Sequence, residues 1–234
     1  MKNISIILKK ELRAYFNSPI AYIVIVLFLM LSGYFFSLQL FVSNNASVRP
    51  VIDLMPLMFL FFVPAITMRL FSEEIKSGTI EILSTLPLKE EEIILGKYLS
   101  AVALIAICVI TTLFYPFLVF LLGRPDLGQI FSAYMGTILI GSTFAAIGIF
   151  CSSISKNQII SFIAGFVICF VFYIIGQTAM FLPGLLADIA NYTGISAHFE
   201  NFTRGVADTR DILYFLSIIT LFLYATLAVL KTKK

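Results

Sequence analysis

Six long apolar runs constrain this chain more than any other feature of its sequence. They occupy residues 19–42, 52–71, 98–122, 130–151, 158–182 and 212–230. A helix needs about 20 mainly apolar residues to cross the hydrocarbon core of a bilayer, and each run is long enough to form one. Because 60% of the residues are hydrophobic and only 12% are charged, the chain has too few polar side chains to cover a water-soluble core. The sequence therefore predicts an all-α polytopic membrane protein with six transmembrane helices.

The distribution of basic residues predicts the orientation of these helices. Lysine and arginine in short loops are retained on the cytoplasmic side of a membrane. With the N-terminus inside, only four of the 16 basic residues fall outside, namely Arg49, Arg124, Arg204 and Arg210. Every lysine is then cytoplasmic. We therefore expect both termini in the cytoplasm and residues 183–210 as an extracytoplasmic segment.

Residues 1–18 form the first segment outside the apolar runs. Apolar residues recur there at helical spacing, while the lysines and Arg13 take the other face, which predicts an amphipathic elbow helix in the cytoplasmic interface. Pro19 disfavours helix in the residue before it, so the helix breaks just before the first span. Glu11 falls on the apolar side without a cation on its own helix to pair with. It has a partner elsewhere in the fold or reaches water, and the sequence leaves both open.

The cytoplasmic loop 72–97, between the second and third spans, carries the most informative pattern. Gly78 permits a sharp bend, Thr79 is suited to cap a new helix, and Pro87 ends it. Apolar side chains within this short helix imply a buried face, and they are Ile80, Ile82, Leu83 and Leu86. A helix of about two turns is unstable alone in water, so it needs a surface to dock on. A solvated linker with alternating charges is the other interpretation, and the apolar residues favour docking.

The stretch from Glu74 to Tyr98 resembles the permease subunits of ABC-2 type ATP-binding-cassette transporters. The matching pieces are Gly78-Thr79-Ile80-Glu81-Ile82-Leu83, Leu86-Pro87-Leu88 and Gly96-Lys97-Tyr98. The resemblance implies the ABC-2, or type V exporter-like, arrangement: an N-terminal elbow helix, six spans and a cytoplasmic coupling helix that docks on a nucleotide-binding subunit. The residues it assigns to that docking are Glu74, Gly78, Thr79, Ile80, Glu81, Leu83, Pro87 and Leu88, with Glu11 and Arg13 in the elbow helix.

A later segment resembles one branch of this family, the gliding-motility-associated permease subunits. It runs from His198 to Gly205 and continues through Asp208, Arg210-Asp211 and Tyr214. In similar proteins such segments form short re-entrant or interfacial helices that close the outer end of the pathway. The resemblance therefore implies an extracytoplasmic gate that includes His198 and Glu200. His198 is either a satisfied polar residue there or a group that titrates near neutral pH.

The resemblance also implies partners and a location. The chain is expected to be a non-catalytic permease subunit of the bacterial cytoplasmic (inner) membrane that binds no cofactor itself, while ATP and Mg belong to a partner ABC ATPase. The further candidate partners are a second copy of the permease or a related permease, an auxiliary membrane subunit and membrane lipid. Two functions stay open: export of an amphiphilic or lipid-linked substrate, and transmission of ATPase cycles to extracytoplasmic partners without transport.

The absence of certain motifs excludes several kinds of chemistry. No G-x-x-x-x-G-K-[ST] segment is present to hold nucleotide phosphates, and a single histidine rules out a multi-histidine metal site. The three cysteines lie in apolar runs without a C-x-x-C spacing, so we interpret them as packing residues. A net charge of +3 without a basic stripe gives no support to nucleic-acid binding. The spans hold almost no ionisable residues, so we expect energy to be supplied from outside the bilayer.

Small residues and prolines in the spans predict how the helices pack. Gly141 and Ala145 in the fourth span have the small-x-x-x-small spacing that lets helices approach closely in lipid. We expect packing within the chain, with a face between two copies as the alternative. Pro56 and Pro64 in the second span either kink it or are inert.

Single cysteines at Ser47, Lys76 and Ala197, in a background without the native cysteines, test the orientation. We expect a membrane-impermeant thiol reagent added to intact cells to label positions 47 and 197 and to spare position 76, because the lysine-rich loops lie inside. Labelling at position 76 with protection at the other two would reverse the topology.

Overall fold

The computed structural model describes residues 2–42, 47–79, 89–123 and 125–232, and the regular elements within those ranges are helical. The helices are α1 (Lys2–Asn17), α2 (Pro19–Ser37, continued by a π turn over Leu38–Val42), α3 (Arg49–Thr67), α4 (Arg69–Ser77), α5 (Glu90–Thr111), α6 (Phe114–Leu122), α7 (Leu127–Ile154), α8 (Gln158–Thr178, continued by a 3-10 turn over Ala179–Phe181), α9 (Leu185–Thr193), α10 (Ile195–Thr203) and α11 (Thr209–Thr232).

Six helical segments of the described chain are long and apolar enough to cross a membrane, which confirms the predicted number of spans. They are α2, α3 with α4, α5 with α6, α7, α8 and α11. The second segment reaches Ser77 and the third begins at Glu90, so both extend beyond the apolar runs. The extension is possible because charged side chains in these added turns pair with one another, as Lys97 does with Glu74.

The break between α1 and α2 lies where Pro19 predicts it. Ser18 adopts an extended conformation, with φ −101° and ψ 156°, and Pro19 opens α2. The Ser18 hydroxyl donates to the carbonyl of Tyr15 at 3.0 Å, which satisfies one of the free carbonyls at the end of α1. The two helices are thus separate elements joined by a single extended residue.

Helix α7 is the most buried span and forms the centre of the bundle. Its glycines let other helices approach closely: a Cβ on Gly141 would lie 2.8 Å from Ile105 Cγ2, and one on Gly136 would lie 2.5 Å from Phe202 Cβ. Ala145 on the same helix is fully buried. The small residues of the fourth span therefore pack within the chain, as the preferred interpretation predicted.

The second span is interrupted at Met68, one turn after Pro64. A serine of α7 completes the hydrogen bonds at this point: the backbone N–H groups of Phe71 and Ser72 donate to Ser152 Oγ at 3.0 and 3.1 Å. The Ser152 hydroxyl in turn donates to the Met68 carbonyl at 2.8 Å. A side chain inserted into the helical ladder is a recognised cause of such interruptions. The junction of α3 and α4 is therefore fastened to the end of α7.

Two ends of the bundle are distinguished below. The elbow face is formed by α1, α4, residues 90–97 of α5 and the turn 155–157 that follows α7. The distal face is formed by α9, α10 and the first turn of α11.

Replacing Gly148 of α7 tests the packing of α7 on the second span. A Cβ at this position would clash with the Thr67 hydroxyl, so we expect Gly148→Ala to lower the stability by about 1–3 kcal/mol, as overpacking does. A thiol-reactive dye that reports the exposure of the three buried cysteines on heating measures the change in detergent.

The matched control is Gly123→Ala, because a Cβ there would meet only the Val119 carbonyl at 3.9 Å. We expect this variant to unfold like the parent protein. Equal unfolding temperatures for both variants would show that α3 and α7 do not pack closely at Gly148.

Candidate functional site at the elbow face

A buried lysine joins three helices at the elbow face. The Lys97 ammonium of α5 donates to Glu11 Oε1 of α1 at 3.2 Å, to Glu74 Oε1 of α4 at 2.8 Å and to the Leu70 carbonyl at 2.6 Å. Only 1% of Lys97 is exposed. We call Lys97, Glu11 and Glu74 the Lys97 cluster.

The cluster supplies hydrogen-bond acceptors to a buried ammonium group, whose burial would otherwise be very unfavourable. An ammonium group has three N–H donors, and all three find an acceptor here. Two carboxylates face one buried cation, and Lys10, which is mostly exposed, lies 3.7 Å from an oxygen of each of them. The Phe71 ring completes the site, with its centroid 5.0 Å from the ammonium nitrogen. Removing Lys97 would leave two largely buried carboxylates with only the exposed Lys10 nearby.

A second set of contacts fixes α1 to the second span. Tyr15 is fully buried, and its hydroxyl donates to the Ile66 carbonyl at 2.9 Å. The Arg69 guanidinium lies over the Tyr15 ring, 4.5 Å from its centroid. Burial raises the pKa of the Tyr15 hydroxyl, so it remains a hydrogen-bond donor throughout the physiological range.

The first turns of α5 pack directly on α1. The Asn3 amide donates to both carboxylate oxygens of Glu92, at 3.2 and 3.0 Å. Glu92 also accepts from the Lys89 backbone N–H at 3.2 Å and so caps the start of α5. A Cβ on Gly96 would lie 2.7 Å from the Ile7 side chain, so glycine is what permits the close approach of the two helices.

An open groove of about 690 Å³ lies beside the cluster, between α1, α4 and the start of α5. Its lining combines apolar and charged side chains: Ile6, Ile7, Lys10, Glu11, Ala14, Arg69, Leu70, Glu73, Glu74, Ser77, Thr79, Ile93 and Lys97. One buried oxygen of Glu74, Oε2, has no hydrogen-bond partner among the described residues. The groove therefore offers both apolar contact and charged side chains to another molecule.

The structure describes only part of the predicted coupling segment. Gly78 ends α4 in the left-handed conformation, at φ +72°, where a side chain is unfavourable. The Thr79 hydroxyl is exposed and lies 2.9 Å from Ser77 Oγ at the end of the same helix. The other residues assigned to docking lie outside the described residues, and they are Ile80, Glu81, Leu83, Pro87 and Leu88.

The two elbow residues singled out from the sequence lie in different surroundings. Glu11 is 8% exposed and has its cation on another helix, which answers the question that the sequence left open. Arg13 lies on the exposed side of α1 and is not part of the cluster.

Lys97 is the residue that sequence reasoning placed wrongly. Counting basic residues assigned it to a loop, whereas it lies in the second turn of the third span and is buried. Its position directly before the third apolar run, together with an unpaired Glu11 on the apolar side of α1, was the signal available in the sequence.

The two predicted gate residues lie at the distal face but do not meet. His198 Nδ1 is 2.6 Å from Asp211 Oδ1 on α11. Glu200 instead accepts from Arg204, four residues later on the same exposed surface, at 2.6 Å. Across the described ranges no group of three or more His, Cys, Asp or Glu side chains is arranged to hold a metal ion.

Removing the buried cation tests the importance of the Lys97 cluster. In Lys97→Met the two carboxylates keep only the exposed Lys10 as a neighbouring cation, so we expect a loss of stability of about 3–5 kcal/mol, the usual effect of breaking a buried ion pair. The readouts are the unfolding temperature in detergent and the rate of proteolysis within α1, which should rise as α1 detaches.

Adding Glu11→Gln and Glu74→Gln to Lys97→Met removes the uncompensated charges, and we expect part of the stability to return. Lys9→Met removes an exposed cation from α1 and serves as the control. If Lys97→Met and Lys9→Met unfold alike, the cluster does not hold the three helices together.

Comparison with known families agrees with this architecture. The sequence matches the family described as ABC-2 family transporter protein over residues 5–234. A search of curated proteins gives no match. The match covers nearly the whole chain, and the six segments able to span a membrane fit a permease subunit. The chain therefore belongs to the ABC-2 family of transporter proteins.

Proposed function

We propose that this chain is the permease subunit of an ATP-driven exporter and that its elbow face is the cytoplasmic docking surface for a separate ABC ATPase subunit. The Lys97 cluster is the observation that carries the proposal. It places the end of α4, the start of α5 and the elbow helix in one unit, directly beside the segment that resembles a coupling helix.

The cluster gives a docked subunit a connection to two spans at once. Residues 78–89 connect α4 to α5, so a force on them acts on the second and third spans together. Lys97 holds the facing turns of these helices, and a buried, fully paired cation resists their separation. A displacement at the docking surface is therefore transmitted to the bundle instead of being absorbed by movement of α4 relative to α5.

The second step of transmission leads through α7. Ser152 bonds to both sides of the interruption between α3 and α4, at Met68 and at Phe71. An interrupted ladder is easier to bend than a continuous one, so α4 can pivot at Met68 while it stays attached to α7. Movement of α4 then changes the position of the central helix.

Exposed cations support a cytoplasmic elbow face. Lys9, Lys10, Arg13, Lys76 and Lys156 are all exposed or half-exposed at this face. Basic side chains in short loops favour the cytoplasmic side. We propose on this basis that both termini lie in the cytoplasm.

The spans favour an amphiphilic or lipid-linked substrate. Buried hydroxyls inside the described bundle bond to neighbouring helices, as Ser32 does to Tyr115 at 2.9 Å and Thr112 to Tyr134 at 3.1 Å. These groups are used in packing, and the remaining surface of α2, α8 and α11 is largely apolar and uncovered. We propose that a substrate path lies between this chain and a second permease subunit, with lipid on the remaining sides.

Transmission of ATPase cycles without transport is the second candidate. The likeness of residues 198–214 to gliding-motility-associated permeases favours this candidate. It also requires the elbow face to dock the ABC ATPase subunit. Stimulation of ATP hydrolysis by a lipid or glycolipid would support transport, whereas stimulation only by an extracytoplasmic protein would support transmission.

The complex with the ABC ATPase subunit, reconstituted in liposomes, tests the docking surface. We expect Leu83→Ala to weaken assembly by about 1–3 kcal/mol, because it removes apolar burial. Glu81→Lys should slow association in a salt-dependent way by reversing a charge opposite a basic partner surface. Binding is measured as Kd, and coupling as ATP hydrolysis per complex in the presence of lipids and glycolipids.

Asp188→Lys, a charge reversal on α9 at the distal face, is the matched control and should leave assembly unchanged. Gly78→Val should impair coupling without changing a partner contact, because valine disfavours the positive φ at the end of α4. If Leu83→Ala, Glu81→Lys and Gly78→Val all assemble and hydrolyse ATP like the parent complex, at matched expression, the segment is only a linker. That result would contradict the proposal.

A further inference from the structure

A second cavity opens at the edge of the elbow face, where α4 lies in contact with α8. Its volume is about 500 Å³. Lys76 of α4 lines it from one side, and Lys156, Asn157, Gln158 and Ile159 line it from the turn before α8 and from the first residues of α8. Two ammonium groups from distant parts of the sequence therefore line one space. We call it the Lys76–Lys156 cavity.

The charges of this cavity are all of one sign. Its described lining includes two lysines and no aspartate or glutamate. Both lysines are exposed, and within the described ranges neither takes part in an ion pair. The groove beside the Lys97 cluster differs, because glutamates and basic side chains line it together. Two unpaired cations without a neighbouring carboxylate attract an anion.

The hydrogen-bonding groups of the cavity fit a phosphate. Each ammonium group has three N–H donors, and the oxygens of a phosphodiester only accept. The Asn157 side-chain carbonyl accepts from the Ile159 backbone N–H at 2.9 Å, which leaves the amide N–H groups of Asn157 as further donors. A phosphate in the cavity is therefore offered donors from both of its walls.

An apolar surface begins at the same cavity and follows α8 into the membrane. The side chains that form it are Ile159, Ile160, Ile163, Val167 and Val171, each at least 45% exposed. They lie on one face of α8, because Ser161, Gly165 and Cys169 on the opposite face are buried. From the first to the last of them α8 rises about 18 Å, and one leaflet of hydrocarbon is about 15 Å thick. The surface is therefore long enough for an acyl chain.

We propose that the Lys76–Lys156 cavity binds the headgroup of an anionic phospholipid, with the phosphate between the two lysines and an acyl chain along the exposed face of α8. A lipid is favoured over a soluble anion because the charged cavity and the apolar face are continuous at Ile159. A bound headgroup connects the end of α4 with the start of α8. The inference requires the elbow face to lie at a membrane surface, and it does not depend on docking of an ABC ATPase there.

The chain contains no tryptophan, so one introduced tryptophan reports the lipid beside it. Ile163→Trp places this residue on the exposed face of α8, and phosphatidylglycerol with brominated acyl chains quenches its fluorescence on contact. In nanodiscs of phosphatidylcholine with a minor fraction of this lipid, we expect an enrichment at position 163 of roughly tenfold over random mixing, since two lysines favour an anionic headgroup by this order of magnitude. Brominated phosphatidylcholine should show no enrichment. Equal quenching by the two lipids would overturn the proposal.

A tryptophan on another helix is the matched control for position. Ile23 on α2 is 53% exposed, as Ile163 is, and each lies in the second turn of a helix that begins at the elbow face. For Ile23→Trp we expect quenching that follows the bulk composition of the bilayer. Equal enrichment of phosphatidylglycerol at both positions would indicate a diffuse attraction to the basic face and would contradict a site on α8.

Two double variants test the lysines. Lys76→Gln with Lys156→Gln removes both charges of the cavity, and the enrichment at position 163 should fall to random mixing. Lys9→Gln with Arg13→Gln removes two exposed cations from α1 and should leave the enrichment unchanged. All four side chains are exposed, so we expect parental unfolding temperatures. Enrichment that persists in the first double variant, or is lost in the second, would contradict the proposal.

Two additions to the nanodiscs separate the lipid from other occupants. Excess inorganic phosphate, compared with chloride at the same ionic strength, should leave the enrichment unchanged because it has no apolar part. Release of the lipid by phosphate would assign the cavity to a soluble anion. Adding the ABC ATPase should also leave the enrichment unchanged, and its loss on assembly would assign the cavity to that protein. Either result would overturn the proposal, whereas failure of the ATPase to bind would contradict only the proposed function.

Discussion

The burial of one ammonium group, that of Lys97, determines the arrangement of the elbow face. Placing an unpaired cation in a protein interior is prohibitively unfavourable, so the fold must bring acceptors to it. The acceptors come from α1 and α4, two helices that no long apolar run would bring together. The positions of α1, of the end of α4 and of the start of α5 therefore depend strongly on this electrostatic requirement.

Helix α7 connects this face with the distal one. Its glycines and Ser152 provide four successive contacts along its length: Gly136 with α10, Gly141 with α3 and α5, Gly148 with α3, and Ser152 with α4. Each contact depends on a small residue or a hydroxyl, because lipid offers no hydrophobic drive for helices to associate. Close packing transmits displacement well. The contact between His198 and Asp211 thus lies at the far end of a continuous path of contacts that begins at Lys97.

The sequence predicted what depends on local composition and missed what depends on tertiary pairing. Six spans and the break at Pro19 follow from hydropathy and backbone chemistry, and both are present. Lys97 was assigned to a loop because a rule based on side-chain charge treats every lysine as solvated. Glu11 was recognised as lacking a cation, but its partner lies 86 residues away and no periodicity connects the two.

The pairing of His198 at the distal face shows the same limit at shorter range. His198 and Asp211 are 13 residues apart, on helices joined through Gly205, whose φ of +90° allows the chain to reverse. The sequence placed His198 at this end of the bundle and named Glu200 with it. Only the fold selects Asp211 as its partner and pairs Glu200 with Arg204 instead.

The central claim is that α1, α4 and the start of α5 move as one body. Spin labels at Lys9 on α1 and Lys76 on α4, both exposed, test it in the complex with the ABC ATPase, without nucleotide and with hydrolysis trapped. We predict a narrow distance distribution that is the same in both states, while the distance from Lys76 to Ser217 near the distal end of α11 changes. A distance between Lys9 and Lys76 that shifts with nucleotide state would contradict the account.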